Sequence, residues 1–122
     1  MALRDLKPEN ILLDANGFTW IIDFGFSKIQ NSQRMYTNCG TLGYVAPEVT
    51  APGNQGYDGK KADIWSIGIL ICEVIGGSIP YEEYNDPQKL LKALQMGNLT
   101  LPRNMSIVAK DLAKQILNKD PN

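Results

Sequence analysis

Apolar residues change their rhythm several times along this chain, and each change marks an element. Ile11-Leu12-Leu13 and the run Phe18 to Ile22 are two short apolar stretches on either side of Asp14-Ala15-Asn16-Gly17, a pattern that predicts a β-hairpin turning at Asn-Gly. Pairing about that turn returns the chain to its start, so Asn10 and Asp23 are expected side by side. Residues 26 to 59 are rich in Gly, Asn, Gln, Ser and Thr, interrupted by Pro47 and Pro52. Without a sustained period they read as loop, with a short helix near Glu48. From Lys61 to Ile75 apolar residues cover nearly every face until Gly76-Gly77 stops the run, which predicts a buried helix. Asp86-Pro87 has the form of an N-cap followed by a first-turn proline, opening a helix with Leu90, Leu91 and Leu94 inward. A last amphipathic helix is expected from about 106 to 118, with Ile107, Val108, Leu112, Ile116 and Leu117 inward.

Composition narrows the function classes. A chain of 122 residues, 43% hydrophobic, is long enough for one packed core. Twelve basic against thirteen acidic side chains, with no basic run, mark neither a nucleic-acid nor a membrane surface. The chain has no His, and Cys39 and Cys72 lie far apart, so neither a zinc site nor a His-based triad is expected. The longest apolar stretch, Ile64 to Ile75, is too short to span a bilayer. With no secretory signal at Met1-Ala2-Leu3-Arg4-Asp5, a cytoplasmic, intracellular location is expected.

Chemistry concentrates at the first residues. Arg4-Asp5-Leu6-Lys7-Pro8-Glu9-Asn10 is followed across the hairpin by Asp23-Phe24-Gly25, and then by Ala46-Pro47-Glu48. In their order and spacing these motifs resemble the catalytic loop, the metal-binding motif and the end of the activation segment of the protein kinases. The resemblance covers essentially the whole chain. It implies an α+β, protein-kinase-like fold: a mainly helical large lobe with a short β-hairpin.

The same resemblance implies roles. Asp5 and Lys7 are the expected catalytic residues: Asp5 orients the substrate hydroxyl and accepts its proton, and Lys7 sets a positive charge against the transferring phosphate. A Lys at this place also points to serine/threonine rather than tyrosine substrates. Lys7, Asn10, Leu12 and Asp23 are expected to hold ATP, with Asn10 and Asp23 supplying oxygen ligands to Mg2+ and Leu12 lying beneath the adenine. Thr37 is the expected phosphosite, paired with Arg4. Glu9, Thr41 and Glu73 are expected at the protein substrate, with the two glutamates facing basic residues ahead of the target Ser or Thr. Asp63 matches a residue that holds the catalytic-loop backbone, and Leu3 and Phe24 match members of an internal hydrophobic stack.

Departures from the family pattern limit these expectations. Nothing in the 122 residues corresponds to the glycine-rich loop, strand lysine or helix glutamate of the small lobe, so residues 1–122 read as a partial kinase domain, truncated at both ends. Such a piece would be inactive alone and would expose part of its central helix. Glu48 would lack the arginine that pairs with it in the family. The runs Asp23 to Lys28 and Gly77 to Tyr81, with Leu101-Pro102, lean toward the cyclic-GMP-dependent kinases of the cyclic-nucleotide-regulated group, whereas Leu42-Gly43 does not fit them. The rival expectation is a non-catalytic pseudokinase or docking module.

Overall fold

The computed structural model describes residues 1–31, 33–53 and 55–120; Ser32, Asn54, Pro121 and Asn122 lie outside the described residues. After a 3-10 turn at Pro8–Asn10 come β1 (Ile11–Leu13) and β2 (Thr19–Ile21), then α1 (Pro47–Thr50), α2 (Gly59–Gly76), α3 (Pro87–Met96) and α4 (Ile107–Ile116). The hairpin forms as expected. Leu12 pairs with Trp20 and Ile11 with Ile21. Its loop is Ala15-Asn16-Gly17, closed by an Asp14 side chain that accepts from the amides of Asn16 (2.8 Å) and Phe18 (2.9 Å). Gly17 takes φ +83° there, the left-handed conformation that glycine adopts without a Cβ penalty.

Each long helix is capped by its own sequence. Asp58 accepts from the amides of Lys60 and Lys61 at the start of α2, and Asp86 does the same for Gln88 and Lys89 at α3. Ser106 caps α4 through the amide of Ala109. Gly77 and Gly97, both left-handed, end α2 and α3. The expected central helix is therefore real, two residues longer at its start and one at its end than the apolar run suggested.

Packing does not follow the sequence expectation everywhere. Trp65, Ile69 and Cys72 carry the buried side of α2, together with Val49, Tyr57, Tyr81, Leu94 and Leu117. The opposite side is open: Ile64, Ile67, Val74 and Ile75 are exposed, Val74 by 78%. A helix apolar all round is buried only when neighbours exist on all sides, and among the described residues none covers this one. For α4 the expectation holds for Leu117 at its end, which is buried, and fails elsewhere. Ile107, Val108 and Leu112 are exposed, and the helix packs on α2 through Ala113 and Leu117. Gly68 is the reason for that choice of face. A Cβ on it would lie 2.7 Å from Ile116 Cγ2 and 2.8 Å from Leu117 Cδ2, so the bare backbone of α2 admits this end of α4.

Candidate active site

The first five residues are drawn onto α2 by one carboxylate. Asp63 accepts from the amides of Leu3 and Arg4, both at 2.7 Å, and this holds the loop that follows. Arg4 takes φ 68°, a conformation non-glycine residues adopt at a cost and keep only when surroundings enforce it. The Arg4 carbonyl is approached so closely by Gly40 that a Cβ there would lie 2.8 Å from it. Burial raises the Asp63 pKa, and the two amide bonds offset part of that rise.

Asp5, buried, is the centre of the site. Its Oδ1 accepts from the Thr41 hydroxyl at 2.7 Å, and its Oδ2 lies 3.1 Å from Lys7 Nζ and 3.2 Å from Asn10 Nδ2. Lys7 Nζ also donates to Thr41 Oγ1 at 2.8 Å. The hydroxyl of Thr41 thus accepts from the ammonium and donates to the carboxylate, tying residues 36 positions apart into one network. Burial pushes the Asp5 carboxyl upward, but the bonds from Thr41, Lys7 and Asn10 outweigh it and leave the pKa below the ordinary value. Asp5 is therefore ionised at neutral pH.

Asn10 and Asp23 both lie at the base of the hairpin, where the Ile22 amide donates to the Asn10 backbone carbonyl at 2.9 Å. The Asn10 amide nitrogen is committed to the Asp5 backbone and side chain, which leaves its side-chain oxygen for another partner. Asp23, exposed and with φ 62°, uses one carboxylate oxygen on the Gly25 amide. One amide oxygen and one carboxylate form a hard-oxygen donor set of the kind Mg2+ takes when it is bound mainly through substrate phosphates. Phe24 is half exposed beside them, and Leu12 is exposed on the hairpin.

The activation-segment residues are positioned by contacts that the sequence did not reveal. Tyr44 donates its hydroxyl to Glu73 at 2.7 Å, and Ser66 donates to the Tyr44 carbonyl at 2.8 Å. Burial, then Glu73 and the more weakly felt charge of Glu9, push the Tyr44 hydroxyl well above its ordinary pKa. No local pattern could have singled out Tyr44, because its partner is 29 residues away. Met35 and Tyr57 exchange both backbone hydrogen bonds at 2.8 Å, and Tyr57 donates its hydroxyl to the Thr37 carbonyl at 2.8 Å. Thr37 is exposed. Arg4 lines a small cavity with Cys39 and Tyr57. Its Nε donates to the Phe26 carbonyl at 2.7 Å, while Nη1 is buried with no hydrogen-bond partner.

A mainly helical lobe with a short hairpin, in which Asp5, Lys7, Asn10 and Thr41 share one hydrogen-bond network, is the architecture of a protein-kinase fold. The protein kinase domain model matches residues 1–122, and the chain belongs to that family. CBL-interacting protein kinase 26 of Oryza sativa subsp. japonica is 42% identical over 98% of this chain and 24% of its own length. CBL-interacting serine/threonine-protein kinase 15 of Arabidopsis thaliana is 42% identical over 98% of the chain and 28% of its own length. Kinase 17 of the same series in that plant is 40% identical over 97% and 28%. The chain thus spans about a quarter of the length of these relatives. They are serine/threonine kinases of a different group from the cyclic-GMP-dependent one, and that subgroup expectation is withdrawn. The runs that suggested it, around Phe26 and Ser78 to Tyr81, are packing and loop positions. Leu42-Gly43 already pointed away.

Proposed function

We propose that residues 1–122 form the portion of a kinase large lobe from the catalytic loop through α4, and that the complete protein transfers the γ-phosphoryl group of ATP to Ser or Thr of protein substrates. The observation that carries this reading is the Asp5 carboxylate, buried, ionised and held at 2.7 to 3.2 Å by Thr41, Lys7 and Asn10. In the reaction the substrate hydroxyl oxygen bonds to the γ-phosphorus, the bond from that phosphorus to the bridging oxygen breaks, and ADP leaves. Asp5 orients the hydroxyl and takes its proton as the new bond forms. Lys7 spends two N–H groups on Asp5 and Thr41 and keeps a third for a phosphate oxygen. Asn10 and Asp23 would hold Mg2+, which neutralises charge on the phosphates. Leu12 would lie under the adenine.

Substrate recognition follows from the acidic pair. Glu73, hydrogen-bonded to Tyr44, and the exposed Glu9 would attract a basic side chain ahead of the target residue. Thr37 is the proposed phosphosite: it is exposed, and a phosphate there would offer the buried Arg4 Nη1 an anionic partner.

The test is phosphate transfer from ATP to Ser/Thr peptides with basic residues upstream, using the complete polypeptide. Asp5→Asn lowers kcat by about a hundred- to ten-thousandfold. Transfer that survives this change, or is absent from the wild type, overturns the catalytic reading. A second reading, a docking module without activity, is favoured by the open apolar face of α2, and absence of transfer together with a bound partner would establish it.

A further inference from the structure

Tyr57 lies outside the catalytic loop, yet the segment that brings Thr41 to Asp5 is fastened to it and its neighbours. Met35 and Tyr57 are both buried and exchange two backbone hydrogen bonds of 2.8 Å in an isolated antiparallel bridge. Beyond that bridge the Tyr57 hydroxyl donates to the Thr37 carbonyl at 2.8 Å. On its other side Gln30 Oε1 accepts from the Gly59 amide at 3.0 Å, one of the first-turn amides of α2 that no helical carbonyl can serve. Arg34 Nη1 donates to the Gly56 carbonyl at 3.1 Å. Two glycines let the chains come this close. A Cβ on Gly59 would lie 2.6 Å from Met35 Sδ, and one on Gly56 would lie 2.7 Å from Arg34 Cβ. The segment is thus held at Gln30, Arg34, Met35 and Thr37 by the strip 56–59.

None of these bonds uses the Thr37 side chain, which is exposed. Backbone atoms, with the side chains of Gln30, Arg34 and Tyr57, place the segment while Thr37 is unmodified. The placement reaches the site over a short stretch. Thr41 follows Thr37 by four positions, and between them Gly40 packs on the Arg4 carbonyl, where a Cβ would lie 2.8 Å away. Thr41 then bonds Asp5 Oδ1 and Lys7 Nζ, so a shift at residue 37 meets little slack before it reaches Thr41. Burial raises the Tyr57 hydroxyl above its ordinary pKa, and it stays a donor at neutral pH. We propose that residues 56–59 form a seat for the activation segment, and that Tyr57 is a positioning residue that holds Thr41 against Asp5 and Lys7 without a phosphate on Thr37. The assignment rests on the reading of this protein as a phosphotransferase.

Peptide phosphorylation by the complete polypeptide, with amide hydrogen exchange on the same samples, tests it in the wild type, Thr37→Ala, Tyr57→Phe and the double variant. Thr37→Ala keeps transfer within about tenfold of wild type, because the seat supplies the order that a phosphate would otherwise add. Tyr57→Phe removes one hydroxyl and keeps the ring. In the Thr37→Ala background it lowers kcat/KM by about three- to tenfold. The loss is smaller in protein phosphorylated on Thr37, where the phosphate is a second anchor at the same residue. Exchange quickens at residues 35–41 and stays as it was in the rest of the lobe. Gln30→Ala, at the other end of the seat, acts in the same direction. Three outcomes overturn the assignment: Thr37→Ala as inactive as Asp5→Asn, a kcat/KM unmoved by Tyr57→Phe, or an equal loss with and without the phosphate while exchange quickens throughout the lobe. A wild type that transfers no phosphate overturns the catalytic reading, and exchange then decides the seat by itself. Quickening confined to 35–41 in Tyr57→Phe upholds it, and unchanged exchange overturns it as well.

Discussion

Glu48 shows how one side chain can be held at a cost. It lines a cavity of about 430 Å³ with Lys61, Trp65 and Ile116. Burial pushes its carboxyl above the ordinary 4.5, Asp58 adds to the rise, and Lys61 offsets only part of it. A carboxyl whose pKa is raised by folding binds its proton more tightly in the folded than in the unfolded state, so stability falls as pH climbs from the ordinary value through the raised one. Glu48→Gln removes the charge and keeps the shape. It is expected to be more stable than wild type near neutral pH, with the difference vanishing below pH 4.5. Urea melts of both proteins across that range check this, and equal stability at neutral pH would show that the carboxylate is well solvated. The Trp65 indole nitrogen, in the same region, is buried without a hydrogen-bond partner. Asp5 is the contrast: also buried, but its three donors reverse the effect of burial on its pKa.

At the scale of elements, α2 organises everything around it. Asp63 near its start holds the catalytic loop, Ser66 and Glu73 hold Tyr44 at the end of the activation segment, and Gly68 receives α4. These contacts lie on different turns of one helix, so its rigidity sets the spacing of the site. Gly68→Ala separates helix propensity from packing. Alanine raises intrinsic helix stability by up to about 1 kcal/mol, while forcing a methyl against Ile116 and Leu117 costs about 1–3 kcal/mol. A net loss in a denaturant melt is expected. A net gain would mean that α4 gives way by shifting, and that the α2–α4 contact is looser than its close approach suggests. Gly76 meets Pro102 and Met105 in the same manner, so the far end of α2 is packed on the following loop by the same device.

Taken as a whole, the molecule carries more apolar surface outside than its core requires. Ile64, Ile67, Val74 and Ile75 form a stripe along α2, and Leu13, Phe18 and Trp20 stand out on the hairpin. Contiguous exposed apolar surface of this kind drives association. The 122-residue polypeptide is expected to self-associate with rising concentration in sedimentation velocity runs, and Ile67→Glu combined with Val74→Glu to restore a monomer. A wild type that stays monomeric throughout would sink this expectation. No helix among the described residues is long and apolar enough to cross a membrane. What could be read in advance was whatever depends on short range: the Asn-Gly hairpin, the Asp86 cap, the helix stop at Gly76-Gly77, and the family motifs whose members sit within a few residues of one another; the Asp58 and Ser106 caps and the stop at Gly97 came from the structure. The pairing of Tyr44 with Glu73, the choice of Ala113 rather than Leu112 as the inward residue of α4, and the open side of α2 were not legible. Hydrophobic periodicity records which residues can be buried, and only the presence or absence of a neighbour, at distances of tens of residues along the chain, decides which of them are.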